Sequence, residues 1–321
     1  MKGRAWAGTP RIELIAALAS LLYSPSPSLA QAWVPDQGEG AVSVAYQSLF
    51  VGDHLGATGQ RSQRGEIRAH TLITDVDYAL TLRAAISSSL IYATSRYRGP
   101  DLLHGPLDTG SYHGALQDAN IEMRYSLQRG HGVLTPFAGV LVPTHGYNTV
   151  GHSALGRNLL ELQLGLAGGY ITPRLLGGVH AQARYGYSIV EHVERIPLNR
   201  SNLDVELGTA VRPWLTVRAT AGLQRTHGGL VFSGPLSRDD EKFHFHDRVG
   251  RANFVRLGAA AAIAVGKYEV FLGYQDTVAG STTHAVKGLT VGSSWTFGGG
   301  MFSQRTRGKA LAPPRRSFVW R

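Results

Sequence analysis

Residues 178–190 read GVHAQARYGYSIV. Val179, Ala181, Ala183, Tyr185, Tyr187 and Ile189 share one parity, and His180, Gln182, Arg184, Gly186 and Ser188 share the other. A side-chain period of two puts these sets on opposite faces of an extended strand, one apolar and one polar. The same separation recurs in its neighbours. Leu160, Leu162, Leu164, Leu166 and Tyr170 oppose Glu161, Gln163, Gly165 and Gly169. Leu203, Val205, Leu207 and Val211 oppose Asp204, Glu206, Gly208 and Arg212, and Leu215, Val217, Ala219, Ala221 and Leu223 oppose Thr216, Arg218, Thr220 and Gln224.

A soluble antiparallel sandwich alternates in the same way, so the pattern alone does not choose between water and lipid. Length and connection do. The candidate strands run about 11 to 15 residues, against ~5–6 in a typical globular sheet and the 9–11 tilted residues that cross a bilayer. They fall at 41–51, 65–78, 82–97, 115–128, 132–143, 157–171, 176–190, 199–212, 215–227, 250–264, 267–278 and 287–297. The links after every second strand are tight (79–81, 128–131, 173–175, 213–214, 265–266), whereas those after the odd strands are longer and rich in Gly, His, Asp and Ser. Short turns on one side and long loops on the other characterise an outer-membrane barrel. Alternation is faint in 66–78, and 259–264 is alanine-rich enough to be helical on propensity alone. The expected fold is all-β, a transmembrane antiparallel up-and-down β-barrel of about 12 strands, within a range of roughly 10 to 14.

In hydrocarbon every backbone N–H and C=O must be paired, and a sheet achieves this only by closing. A charge on the lipid face near the midplane costs roughly 2–4 kcal/mol for Arg or Lys. Asn120, Glu122, Arg124, Glu161, Gln163, Gln182, Arg184, Asp204, Glu206, Arg218, Gln224, Arg256, Glu269 and Gln275 are therefore expected inside, as a pore lining or as a lattice of paired charges filling the lumen.

The ends of the chain are different in kind. Lys2, Arg4 and Arg11 precede the apolar run 14–23, and Ala30-Gln31-Ala32 supplies a small-x-small cleavage pattern, so 1–32 reads as an export signal peptide with a mature start at Trp33. Beyond that leader no apolar run of ~18 residues exists to form a membrane helix. Cysteine is absent, which removes disulfides and thiol chemistry. The formal charge of +10 is concentrated in the leader and in Arg305, Arg307, Lys309, Arg315, Arg316 and Arg321. The span 33–297 is nearly neutral and gives no basic patch for nucleic acid.

At the end of that span, residues 290–297 read TVGSSWTF. This is similar to the C-terminal strand signal by which the bacterial barrel-assembly machinery recognises its clients, with Thr290, Gly292, Trp295 and Phe297 in the matching places. Val291, Ser293, Trp295 and Phe297 would then face lipid, the two aromatics in the periplasmic girdle. Residues 298–321 follow as a basic, flexible periplasmic tail, opened by Gly298-Gly299-Gly300 and containing Pro313-Pro314.

Four stretches carry a more specific resemblance: Trp33-Val34-Pro35 with Gly38-Glu39-Gly40, YALTLRAAISSSLIY at 78–92, LQDANIEMRYSLQ at 116–128 and TPFAGVLVPTHGY at 135–147. Together they make the chain resemble, over most of 33–297, the outer-membrane barrel family named for the meta-pathway of phenol degradation. The family's Gly-Leu-Thr turn reads Ala79-Leu80-Thr81 here, its strand-opening aspartate matches Asp118, and its Pro-Thr-Gly exit is Pro143-Thr144-His145-Gly146. The resemblance implies a transporter of small, often hydrophobic or aromatic, compounds, with no catalytic residues to carry over.

Particular residues offer competing chemistry. His244, His246 and Asp247 in DDEKFHFHD have zinc-, nickel- or copper-ligating side chains, but most histidine-bearing loops bind nothing, and neither a metal nor another cofactor is expected. A lipid hydrolase needs a serine and a histidine at the membrane rim. The adjacent pair His152 and Ser153 lies in a loop and no Gly-x-Ser-x-Gly motif exists, so the chain is not expected to be an enzyme. A structural or adhesive surface barrel is the remaining alternative, through the long loop 228–250. The expected role is an outer-membrane channel or transporter, with membrane lipid, the assembly machinery and small-molecule solutes as partners.

Overall fold

The structure is a computed structural model that describes residues 32–63, 65–100, 105–172, 178–231 and 246–298. Apart from Ala32 and Gly298, the expected leader and tail lie outside the described residues. Thirteen strands follow in order: β1 Gly40–Leu55, β2 Arg61–Ser62, β3 Glu66–Ala79, β4 Ala84–Arg98, β5 His113–Tyr125, β6 Gly132–Pro143, β7 Glu161–Thr172, β8 Val179–Val190, β9 Arg200–Arg212, β10 Leu215–Thr226, β11 Asn253–Val265, β12 Tyr268–Ser281 and β13 Thr283–Phe297. Apart from the two-residue β2, which pairs only with the top of β1, each strand runs antiparallel to the next. The ring closes where β13 pairs with β1, from Gly40 opposite Phe297 to Leu55 opposite Thr283. Twelve strands thus form a closed barrel with no free edge, which is what hydrocarbon demands of a sheet.

The outer face is apolar. Leu162, Leu164, Leu207, Ile121, Met123 and Val270 are all exposed, and in water each would forfeit the ~1.5–3 kcal/mol that its burial provides. Tyr78, Tyr125, Tyr170, Trp214, Tyr268 and Trp295 are exposed as well, and all six sit at the tight-turn end of their strands. They form an aromatic belt at one membrane interface. No helix among the described residues is long and apolar enough to cross a membrane; the strands cross instead. This is an outer-membrane barrel.

Three expectations need correction. The link between the last two strands is not a long loop over 279–286: β12 continues to Ser281 and β13 begins at Thr283, leaving Thr282 alone at φ 51°. Thr282 N–H donates to Gly56 O at 3.1 Å, and residues 283–286 stay extended because an unusually long β1 pairs with them. β7 starts at Glu161 rather than 157, after Asn158 at φ 52° has turned the chain. β5 ends at Tyr125 rather than 128, where Ser126 N–H donates to Arg83 O at 2.7 Å and the turn begins. The alanine-rich stretch is strand throughout β11.

Inside, the two halves of the wall differ. On β1, β3, β4, β11 and β12 the inward residues Ala45, Ile73, Ala262 and Phe271 form one buried cluster, with Ile91 packed against it. They lie at one level of the barrel, since Ala45 is opposite Ile73, Ile73 opposite Ile91 and Phe271 opposite Ala262. On β5 and β7 to β10 the inward residues include most of the charged and amide side chains, separated by small ones such as Ala167, Ser188 and Thr216. The faint alternation of 66–78 has a different origin: β3 directs Ile67, Ala69 and Ile73 inward with Arg68 and His70 outward, then Asp75 and Asp77 inward with Val76 and Tyr78 outward, so the apolar parity switches partway along the strand.

Candidate channel lumen

Of the charged and amide side chains expected inside, Glu122, Arg124, Glu161, Gln182, Glu206, Arg218 and Gln275 are buried and the others half-buried, on the parity opposite to the exposed apolar residues. Among them the structure assembles a connected lattice. Arg124 donates to Asp77 at 2.6 Å, with both side chains 1% exposed. Arg184 grips Glu122 through both guanidinium nitrogens, one at 3.0 Å, and lies over the Phe137 ring at 3.3 Å from its centroid. Arg200 pairs with Glu161. Glu206 gathers three groups: His180 Nε2 and the Gln182 amide both meet its Oε1 at 3.1 Å, and Arg218 approaches its Oε2 at 3.6 Å. Asp204 lies within the field of Arg184 and Arg256, and Glu269 within that of Arg218. Arg256 stacks on Phe254 at 4.0 Å. Gln224 donates instead to Ala252 O at 3.1 Å, away from the lattice, and Gln163 is half-buried beside it.

Sequence reasoning missed Asp75, Asp77 and Arg200, and placed His180 on the polar face without counting it among the lumen groups. The signal was present in each case. His180 has the parity of Gln182 and Arg184, Arg200 that of Asn202 and Asp204, and the aspartates alternate with Val76 and Tyr78 in TDVDY.

Residues 32–39 form a floor. Ala32 N–H donates to Gln182 Oε1 at 3.2 Å, and Thr135 Oγ1 donates to Ala32 O at 2.6 Å. Trp33 packs with Ala32, Val133 and Ala167, and a Cβ at Gly169 would stand 2.4 Å from the indole. Val34 packs on Ala79 and Ala85. Ala32 is thus held by β6, β7 and β8, whereas Gly40 enters β1 between β13 and β3, across the ring. Eight residues reach up to ~26 Å when extended, and this segment crosses the lumen at its tight-turn end.

The β6–β7 loop forms a ceiling. Asp108, fully buried, accepts from His152 N–H at 2.7 Å and from Ser153 N–H at 3.0 Å, and its Oδ1 also bonds the Ser153 hydroxyl at 2.8 Å. His113 Nε2 donates to Ser153 O at 2.9 Å, and the Gln117 amide donates to Leu155 O. Tyr147 donates to Asp118 Oδ1 at 2.7 Å; burial and that carboxylate push its hydroxyl well above the ordinary phenol range, so it remains the donor. Ser153 therefore serves as a loop pin. Replacing Asp108 by Ala should release about 3 kcal/mol of charge-assisted bonding. Amide exchange at His152 and Ser153 is expected to speed up roughly 100-fold, and unchanged exchange would show that the loop is held elsewhere.

Between ceiling and floor lies a cavity of about 580 Å³ on the apolar side, walled by Leu49, Val51, Ile67, Ile73, Ile91 and Val286. A second cavity of about 260 Å³ reaches Asp204, Arg256 and Gln275 and shares Gln47, Leu49 and Val286 with the first. In the TVGSSWTF strand Thr290 is fully buried, Trp295 is exposed on the outer face and Phe297 stacks on Tyr78 at 6.4 Å between centroids. A Cβ at Gly292 would lie 2.2 Å from Phe271, so the glycine also serves the packing of the apolar belt. Of the metal candidates, His244 lies outside the described residues, and His246 and Asp247 belong to the one-turn helix His246–Val249. Among the described residues no group of three such side chains is arranged to hold a metal ion.

No protein-family model and no curated protein matches this chain. Among solved structures it is similar to an outer membrane channel from Pseudomonas putida F1, with TM-score 0.63 and 14% identity over 85% of this chain and 100% of that one. The translocator domain of the autotransporter NalP from Neisseria meningitidis matches with TM-score 0.44 and 14% identity over 89% of this chain and 94% of that one. The CymD monoaromatic hydrocarbon channel matches with TM-score 0.42 and 9% identity over 82% of this chain and 89% of that one. The first of these supports the barrel fold.

Proposed function

We propose that this barrel is an outer-membrane channel or transporter for small, largely apolar molecules, aromatic compounds among them. The observation that carries this reading is the cavity of about 580 Å³ that runs from the outer mouth along Ile67, Ile73 and Ile91. Along the isoleucine stretch a polar solute loses water, at a cost per unpaired polar group of roughly 1–3 kcal/mol. An apolar solute gains about 25 cal/mol for each Å² it buries. The charged half-wall acts as the filled side of the lumen: Asp77, Glu122, Glu161 and Glu206 are each met by an arginine, and solute is directed along the apolar side. The likeness to an outer membrane channel and the resemblance to the phenol meta-pathway family agree with this reading.

The remaining parts fit the same life cycle. Residues 1–32 direct export, Thr290, Gly292, Trp295 and Phe297 present the last strand to the assembly machinery, and 298–321 extend into the periplasm.

The test is solute entry into vesicles whose outer leaflet is lipopolysaccharide, with and without the barrel, using benzyl alcohol, glucose and glycine. The barrel is expected to accelerate benzyl alcohol and leave the other two near the lipid background. Equal benzyl alcohol entry with and without protein would overturn the reading.

A further inference from the structure

Cations gather on one part of the lipid-facing wall, at its outer end. Lys287, Phe50, Arg68 and Arg96 are direct cross-strand neighbours on β13, β1, β3 and β4, so they form one row around the outside of the barrel. Lys287 and Phe50 are exposed, the Arg68 side chain is 49% exposed, and Arg96 is half-buried. Arg98, exposed two residues above Arg96, extends the row upward. By contrast, the outward positions of β6, β7 and β8 hold neither lysine nor arginine.

The row stands at a definite depth. Arg68 lies ten residues along β3 from Tyr78 in the aromatic belt at the tight-turn end. At ~3.4 Å per residue and a tilt of about 40°, that is ~26 Å along the membrane normal, and the apolar band of such a barrel is about 25 Å tall. Short turns mark the periplasmic side, so the row meets the headgroups of the outer leaflet. Below it Leu72, Leu90 and Tyr92 are exposed to the acyl chains.

The arginines rest on aromatic rings. The Arg96 guanidinium lies 4.7 Å from the centroid of the exposed Tyr112 ring, and that of Arg68 lies 5.4 Å from Phe50. His70 hydrogen-bonds the Tyr112 hydroxyl at 3.1 Å and the Tyr46 hydroxyl at 2.8 Å, which fixes the ring beneath Arg96. Stacking occupies the face of a guanidinium and leaves its N–H edge for an anion. Two acids border the row. Glu66, opposite Arg98, meets Arg68 at 3.4 Å in a pair open to solvent, and Asp276, opposite Lys287, accepts from the Tyr274 hydroxyl at 3.3 Å. Arg96 and Arg98 make no ion pair among the described residues.

We propose that this row binds the phosphorylated headgroup of the outer-leaflet glycolipid, its phosphates on Arg68 and Arg96 and its acyl chains along Leu72, Leu90 and Tyr92. A guanidinium matches phosphate in geometry and charge, and hydrocarbon chains match the exposed apolar wall below. Lys287 lies on β13 and the arginines on β3 and β4, so a bound headgroup spans the seam where β13 closes on β1.

This site is independent of what the lumen carries. It is tested by native mass spectrometry of the full-length barrel in detergent, titrated with lipid A bearing both phosphates and with the same lipid after both are removed. The phosphorylated lipid is expected to bind about tenfold more tightly, the discrimination that one charge-assisted hydrogen bond supplies. Arg68→Gln combined with Arg96→Gln is expected to abolish that advantage. Arg225→Gln, which removes an exposed cation at the outer end of β10, is expected to keep it. Heat-modifiable migration checks the folding of each variant; if the double variant does not fold, Arg96→Gln alone is read in the same way. Equal affinity of the unaltered protein for the two lipids overturns the site. An advantage that survives in the folded arginine variant puts the site elsewhere, and one that Arg225→Gln removes equally reduces it to overall charge; either result overturns the assignment. Displacement of the lipid by millimolar inorganic phosphate would make the row a site for the free anion and overturn the lipid as its occupant.

Discussion

Arg124→Met, with Asp77 left in place, is expected to lower the free energy of unfolding by about 3–5 kcal/mol. Both side chains are 1% exposed and 2.6 Å apart, so removing the cation leaves a buried carboxylate without its guanidinium. The pair exists because β4, which lies between β3 and β5, offers only small side chains to the lumen there. Asp77 is opposite Ser87 and Arg124 is opposite Ala85, so the guanidinium passes over β4 to reach the acid. If the loss arises from the uncompensated charge rather than from lost packing, Asp77→Leu combined with Arg124→Met should recover most of it, since apolar replacement of a buried pair is often neutral or better. Urea unfolding from lipid vesicles, followed by tryptophan fluorescence, measures both. A single variant as stable as the original protein, or a double variant worse than either single one, would show that the pair does not hold β3 to β5.

The sequence made the barrel legible where its two faces differ chemically. In β7 to β10 the lipid face is leucine and valine, the lumen face carries Glu161, Arg184, Glu206 and Arg218, and a period of two is plain. In β11 the lumen face is itself Ala260 and Ala262, and in β3 the polar parity changes from Arg68 and His70 outside to Asp75 and Asp77 inside, so alternation fades although the strands are equally real. Alternation reports the contrast between faces, and a two-sided apolar strand looks like a helix or like nothing. The apolar half of the lumen was hidden for the same reason: nothing in Ile67, Ile73 or Ile91 distinguishes an inward isoleucine from a lipid-facing one until register is known.

The lattice was half legible. Inward charges follow from parity, but their partners depend on stagger between non-adjacent strands, as when Arg184 of β8 reaches Glu122 of β5. The crossing at residues 32–39 left no pattern to read, because a segment without regular structure takes its path from particular contacts: Gly169 beneath Trp33, and Gln182 and Thr135 on Ala32.

That crossing leads to the second large effect. Trp33→Ala is expected to raise single-channel conductance in planar bilayers severalfold while leaving the barrel heat-modifiable and folded. The indole is the largest group that ties the segment down, and because it is half-buried its truncation costs less than the ~3–5 kcal/mol of a fully buried tryptophan. What remains includes the packing of Val34 on Ala79 and Ala85 and the backbone bond from Gly38 N–H to Ala79 O at 3.0 Å, which keep the 34–39 end in place. Two hydrogen bonds at Ala32 contribute about 0.5–1.5 kcal/mol each. The exposed Arg129–Asp36 pair at 2.9 Å adds at most ~1 kcal/mol. With the anchor gone the 32–33 end swings from the floor and the lumen opens at its tight-turn end, whereas no strand loses a rung, because Trp33 belongs to none. Thr135→Val, which removes one bond to Ala32, should move conductance in the same direction by less. Gln182 links Ala32 to Glu206, so release of the segment also loosens the lattice at its most connected acid. A Trp33→Ala barrel as silent as the original would mean that the paired charges, and not the crossing segment, close the path. An original barrel that already conducts at the variant's level would mean that the segment is no barrier at all.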